Sequence, residues 1–202
     1  KRQADNSEYI AQFNYLRKTV KKFFGDKQPI VSYVAQPVDT GGMAMEIHEL
    51  VLTGQDMVTY QKCADIPYIV VERKGYKRLF LGGVTGDVLH QNIREQSDDV
   101  FSRIRQVLDT EQIPVSSIVR QWNYIEKITD YDVGHQHYQD FNDARSLFYT
   151  NVEWETGYPA ATGIGTRCGG IMVDMDVLLC KDATILLTGV DNPLQVAAHA
   201  YS

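Results

Sequence analysis

The chain reads as an α+β protein: one complete β-β-α-β-α-β-β unit preceded by a partial copy of it, α-β-β. Three observations carry that reading. Stretches with apolar residues at helical spacing are interleaved with short strand-like runs. Glycine pairs at Gly41-Gly42 and Gly169-Gly170 sit where such runs must turn. Landmarks also recur in order: Phe13-Asn14 with Phe141-Asn142, Gly41-Gly42 with Gly169-Gly170 and Glu46 with Asp174 are each 128 positions apart, and Pro29 and Pro159 are 130 apart. Four landmarks in one order favour duplication over chance.

Taken in order, residues 7–24 are a predicted helix, with Ser7 as N-cap and Gly25 as stop. Its apolar stripe is Ile10, Phe13, Leu16, Val20, Phe23 and Phe24. Strands are predicted at 30–38 and 43–52, turned by Asp39-Thr-Gly-Gly42, with 54–66 as a connecting loop. Residues 67–72 and 78–81 pair as a hairpin around Lys74-Gly75. Gly82-Gly-Val-Thr-Gly86 then leads into a helix over 92–109, with Ile93, Val100, Ile104, Val107 and Leu108 as its inner face. A strand follows at 118–125. The next helix, 135–149, carries Tyr138, Phe141, Ala144 and Phe148 on or near one face and Arg145 at its edge.

The last hairpin runs from Tyr158 to Cys180. Its first strand is small-residued from Ala160 to Gly165, which lets a ligand or another backbone approach. Its second alternates, with Met172, Asp174 and Asp176 on one face and Val173, Met175 and Val177 on the other. The corresponding division is 1–53 as the partial repeat and 67–202 as the complete domain with a C-terminal tail. The front elements of the first copy are expected upstream of Lys1, making the chain a fragment.

Composition narrows the function classes. At 202 residues, 44% hydrophobic and 23% charged, the chain can build an ordinary globular core. A net charge of −6 argues against non-specific nucleic-acid binding, which needs a basic surface to displace counterions. An anionic small molecule needs only a few focused arginines. Three cysteines without CxxC spacing suggest reduced thiols and a cytoplasmic setting. No apolar run reaches the roughly 18 residues of a membrane helix, and no signal-peptide pattern opens the chain. His135-Gln-His137 has the wrong spacing for two ligands on one helix face, and a solvated helix start is the expectation there. Gly82-Gly-Val-Thr-Gly86 lacks the Lys-Ser/Thr of a phosphate loop. Neither a metal nor a cofactor is expected.

Several motifs carry a family resemblance: Arg120-Gln-Trp-Asn-Tyr-Ile125, Tyr138-Gln-Asp-Phe-Asn-Asp-Ala-Arg145, Tyr158-Pro-Ala-Ala-Thr-Gly-Ile-Gly165, and Asn192-Pro-Leu-Gln195 followed by Ala198-His-Ala-Tyr201. With the element order over about residues 67–180, they resemble the RidA (YjgF) superfamily and its chorismatase-like branch, which carries two RidA-like halves. The resemblance implies a chorismate-mutase-like fold, a homotrimer with ligand clefts between subunits, and a small carboxylate ligand. It also implies hydrolysis of the enolpyruvyl ether of chorismate, with part of the machinery in a tail beyond the Asn-Pro-x-Gln motif. Imine-deaminating relatives clamp the substrate carboxylate with an arginine where this chain has Ala161, which counts against that activity. The acidic balance counts against the endoribonuclease (L-PSP) label attached to the family.

Asp174 matches the acid on the last strand of RidA proteins and is the catalytic candidate, as the acid that would protonate the enol ether's methylene carbon. The candidate substrate-binding set is Gly82, Gly83, Tyr124, Arg145, Thr162, Gly163 and Arg167. Gly82-Gly83 would supply a backbone amide, and the arginines a planar fork for carboxylate. Arg120 shares a strand face with Trp122 and Tyr124 whose direction the sequence leaves open. Each arginine also fits an ordinary surface role, and Asp174 and Asp176 also fit solvent-facing or interface-paired acids. A non-catalytic binding or assembly protein on the same scaffold is the alternative from another class.

Overall fold

The computed structural model describes residues 5–36, 42–155 and 157–190. The chain opens with helix α1 (Asn6–Phe24). A run of strands follows: β1 (Met57–Cys63), β2 (Ile66–Arg73) and β3 (Tyr76–Thr85). Helix α2 (Ile93–Thr110) leads through a 3-10 turn (Val115–Ser117) into β4 (Ile118–Glu126). A two-residue hairpin, β5 (Tyr131–Asp132) and β6 (His135–Gln136), precedes helix α3 (His137–Phe148). Strands β7 (Ala160–Thr166) and β8 (Ile171–Cys180) close the described fold.

Six strands form one sheet in the order β1-β2-β3-β8-β4-β7. Every neighbouring pair is antiparallel except β4 and β7, which run parallel because α3 carries the chain across between them. The predicted β-β-α-β-α-β-β order therefore holds from β2 to β8. Residues 57–63 depart from the loop expected there. They add an edge strand, paired from Met57 opposite Glu72 to Cys63 opposite Ile66.

Both main helices pack on one sheet face. The predicted inner stripe of α2 is buried along its length, and Val100, Ile104, Val107 and Leu108 are fully inaccessible. These meet Phe141, Ala144 and Phe148 of α3 and the odd-numbered residues of β8, Ile171, Val173, Met175 and Val177. Each large apolar side chain so buried contributes about 1.5–3 kcal/mol. Helix α2 starts with a reciprocal capping box between Asn92 and Glu95.

The opposite, outer face carries the even-numbered residues of β8, and α1 lies across one end of the molecule. The N-cap of α1 is Asp5, whose carboxylate accepts from the Glu8 amide at 2.8 Å, rather than Ser7. Of its predicted stripe Phe13 is buried, Ile10, Leu16 and Val20 are half-buried, and Phe23 and Phe24 are 79% and 55% exposed; Tyr9, outside that stripe, is buried beside Phe13. Tyr9, Phe13, Ala35 and Cys168 form a small second core with Ile10, Val31 and Tyr33. The side chain of Asn6 ties α1 to the final hairpin, accepting from the Gly169 amide at 2.8 Å and donating to Glu126 at 3.0 Å. Gly169 and Gly170 turn that hairpin with φ of +107° and +60°.

The two strands expected in the partial repeat are not hydrogen-bonded into a ladder among the described residues. Residues 30–36 are a single strap laid against the body of the fold, and 43–52 are largely exposed. Alternation alone could not reveal this, because a strand needs a partner edge, and among the described residues neither stretch forms a ladder with one. The predicted turn at residues 39–41 and the motifs from Asn192 to Tyr201 lie outside the described residues.

Candidate functional site

Two bulges shape the outer face around Asp174. Between Leu81 and Val84 the β3–β8 register gains one residue, turning Gly82 outward and leaving Gly83 at φ +64°. Between Ile118 and Arg120 the β4–β8 register shifts as well, which sets Arg120 opposite Asp176. Beyond that shift, Gln121, Asn123 and Ile125 are buried toward the helices. Arg120, Trp122 and Tyr124 therefore share the outer face, which settles the direction the sequence left open.

Asp174 sits at the centre, opposite Trp122. Its Oδ1 accepts two hydrogen bonds, from the Ser32 hydroxyl at 2.6 Å and from the Gly83 amide at 2.7 Å. Burial pushes its carboxyl above the ordinary range; the two donors oppose that rise and the neighbouring Asp176 adds to it. Asp176 is matched by Arg78 at 2.9 Å, and that guanidinium also lies over the Phe80 ring at 4.4 Å.

Arg120 is placed differently. It donates to the Thr162 hydroxyl at 2.7 Å and lies 5.0 Å from the Trp122 ring centroid. Among the described residues no carboxylate lies within ion-pairing distance of it. Tyr124 stands between Met172 and Ile164 in the ladder. Its hydroxyl is pushed up to about 12, first by burial and then by the charges of Asp174 and Glu46.

The outer face thus gathers Asp174, Tyr124, Thr162 and Gly82 from the predicted set, together with Arg120. Three members fall elsewhere. Arg145 lies on α3, which packs on the opposite sheet face, close enough to Tyr149 for its charge to act on that hydroxyl. Gly163 faces the helix side, where a Cβ would meet Ile128 and Tyr138. Arg167 is exposed at the hairpin, and its backbone amide donates to Ala35.

The glycine pair also has a different use from the one expected. The Gly83 amide is taken by Asp174, and the strap lies directly over the bulge. A Cβ on Gly83 would collide with the Val31 carbonyl oxygen, and one on Gly82 would come within 2.7 Å of Ile30. The two glycines seat the chain's own N-terminal segment. Arg17 of α1 reinforces the seat by donating to the Gly83 carbonyl at 2.9 Å.

Ser32 was invisible as a site residue in the sequence, because its partner is 142 positions away and no local pattern marks it. His137 also departs from expectation. It is 5% exposed rather than solvated, with Nδ1 at 2.7 Å from the Glu126 carbonyl and Nε2 at 3.0 Å from Asp132. The ring closes the end of β4. Among the described residues no group of three His, Cys, Asp or Glu is placed to hold a metal ion. Two open clefts lie where the start of α2 meets the β5–β6 region, and neither is lined by Asp174 or Arg120. No described helix is long and apolar enough to cross a membrane.

Comparison with known proteins gives this arrangement its family. The model for "Chorismatase FkbO/Hyg5-like, N-terminal" matches residues 53–175, more than half of the chain. The chain belongs to this family. The 3-hydroxybenzoate synthase of Streptomyces hygroscopicus is 37% identical to it over 93 residues, which are 45% of this chain and 26% of that protein. The match therefore spans about a quarter of that relative's length. Among solved structures, a chorismatase superposes with a TM-score of 0.43 at 20% identity, over 59% of this chain and 34% of that one. A YjgF-family protein from Neisseria meningitidis gives 0.45 at 16% identity, over 64% and 99%. A YjgF-family protein from Mycobacterium tuberculosis gives 0.41 at 15%, over 55% and 84%. The chorismatase-like branch of the resemblance stands on the family model, and the α+β class on the fold itself.

Proposed function

We propose that this chorismatase-family chain binds a small carboxylate-bearing enol ether of the chorismate type on its outer sheet face and hydrolyses it. The observation that carries the reading is Asp174: a carboxyl biased toward its neutral form, held by two donors, beside a guanidinium with no carboxylate of its own among the described residues. Arg120, steadied by Thr162 and Trp122, is the anchor for a substrate carboxylate in place of Arg145 and Arg167. On an antiparallel pair, diagonal positions such as Arg120 and Asp174 are about 7–8 Å apart, a span suited to a compact metabolite.

The chemistry needs a proton at the methylene carbon. Protonated Asp174 gives its proton to the CH2 of the enolpyruvyl group, making a methyl and an oxocarbenium carbon. Water adds to that carbon and loses a proton to the Asp174 carboxylate. The resulting hemiketal collapses to pyruvate, and its ring oxygen leaves as a hydroxyl. Tyr124, kept neutral at ordinary pH, remains an available hydroxyl donor beside the reacting group. A second copy of the chain, in the trimer expected of RidA proteins, would close what is an open floor in the single chain.

Pyruvate release from chorismate tests this, measured on this chain and on the full open reading frame that encodes it, with the ring product followed by chromatography. Asp174→Asn is expected to abolish release. Arg120→Ala is expected to raise KM with a smaller effect on kcat. If neither protein releases pyruvate, the hydrolase reading falls. Chorismate binding measured by calorimetry would then support a ligand-binding protein on the same face.

A further inference from the structure

The strap 30–36 does more than cover the bulge. Hydrogen bonds to other described residues hold it along its length: Tyr9 donates to the Tyr33 carbonyl at 2.7 Å, the Tyr33 hydroxyl to the Gln12 side chain at 2.8 Å, the Arg167 amide to the Ala35 carbonyl at 3.1 Å, the Gln36 side chain to the Gly165 carbonyl, and Ser32 to Asp174 at 2.6 Å. The others are spread along the strap and bind it to the fold. The bond from Ser32 lands on one oxygen of one carboxyl group, the same Oδ1 that receives the Gly83 amide.

We infer that Ser32 is a positioning residue for Asp174, and that with the Gly83 amide it confines the proton of the neutral acid to Oδ2. A carboxylic acid has one oxygen that carries the proton and one that only accepts. Oδ1 is engaged by two donors, one of them a backbone amide that cannot reverse its role. A proton on Oδ1 would face that amide, so the neutral acid is held as a single tautomer with Oδ2 as its donor. The gain is orientation: the proton to be delivered is fixed on a known atom before any substrate arrives. The groups around the carboxyl are Ser32 and Gly83 as donors, Asp176 two residues along β8 with its partner Arg78, Trp122 and Tyr124 from β4, and Tyr9 of α1, whose hydroxyl feels the Asp174 charge. Ser32 is the neutral side chain among them that touches the acid directly, so its removal changes Asp174 without changing the charge of the site.

The inference rests on the reading of Asp174 as the acid, and its test is kept separate from turnover. The Asp174 carboxyl is followed by carbon NMR across a pH series without substrate, with Asp174→Asn assigning the signal. Because the Ser32 hydrogen bond stabilises the charged form, Ser32→Ala is expected to move the Asp174 titration upward. Ser32→Thr, which keeps the hydroxyl, should restore the original midpoint, and Ser32→Cys, a weaker donor, should fall between. Amide spectra of Val31 and Tyr33 show whether the strap stays seated in each variant. A titration unchanged in Ser32→Ala with the strap in place overturns the inference, as does a Ser32→Thr titration that behaves like Ser32→Ala. A shifted titration without pyruvate release from any variant leaves Ser32 as the positioning residue and removes only the hydrolase reading.

Discussion

Asp174 inverts the usual sign of an aspartate's contribution to stability. Most folded carboxylates are held below their unfolded value and protect the fold as pH rises. Here burial raises the folded value. The neutral form is favoured in the folded chain, so the stability it contributes is complete below the unfolded carboxylate range and is lost as pH rises through the raised folded value. Asn at this position keeps an oxygen to accept from Ser32 and Gly83 and has no charge to bury. Urea denaturation across a pH series should therefore show the wild type losing stability relative to Asp174→Asn as pH rises through the mildly acidic range. Parallel profiles would mean that Asp174 ionises as freely in the folded chain as in the unfolded one. Residue identity made Asp174 findable, since alternation in Met172-Val-Asp-Met-Asp176 places it opposite the core residues. Its direct partner Ser32 was not legible, because a contact across the whole chain leaves no local trace.

At the level of elements, periodicity reports local pattern, while partner edges decide which stretches become strands. The inner stripe of α2 and the alternation of β8 are local statements, and both appear as predicted. Strand β1 looks like a loop in the sequence because its residues are mostly exposed at a sheet edge, where no burial pattern forms. The strap and residues 43–52 alternate like strands yet join no ladder among the described residues. The same limit applied to the site. Thr162 and Tyr124 lie on the outer face through strand alternation, while Arg145, placed by motif, lies across the sheet. The strap's seat is testable at Gly83. Alanine there would adopt an unfavourable left-handed φ and press its Cβ onto the Val31 carbonyl oxygen. Gly83→Ala should cost about 2–3 kcal/mol in urea denaturation, with faster amide exchange concentrated in residues 30–36. Full stability with unchanged strap protection would show that the two glycines do not seat it.

For the whole molecule, two surfaces stand half-open or open among the described residues. The outer sheet face presents Trp122, Tyr124, Arg120 and Asp174 as a half-open floor. Residues 43–52 hold Met43, Met45 and Ile47 at 82%, 75% and 75% exposure in strict alternation, with Val51 at 86%. An extended apolar run without a ladder and a sheet with open edges at β1 and β7 are each prone to pairing with another chain. A second copy would supply both needs, and the net charge of −6 is too small to keep copies apart at physiological salt. Light scattering coupled to size-exclusion chromatography should therefore give a mass of three chains, the assembly expected of a RidA-like fold. Met45→Lys combined with Ile47→Lys places two charges on the exposed face of the run without touching the main core. That variant should shift toward single chains at equal concentration while its melting temperature, extrapolated to low concentration, stays near that of the wild type. A wild-type chain that elutes as a monodisperse monomer at high concentration would refute the trimer. A trimer unaffected by the double substitution would place the contact on the outer sheet face alone, where Trp122→Ala should then break it.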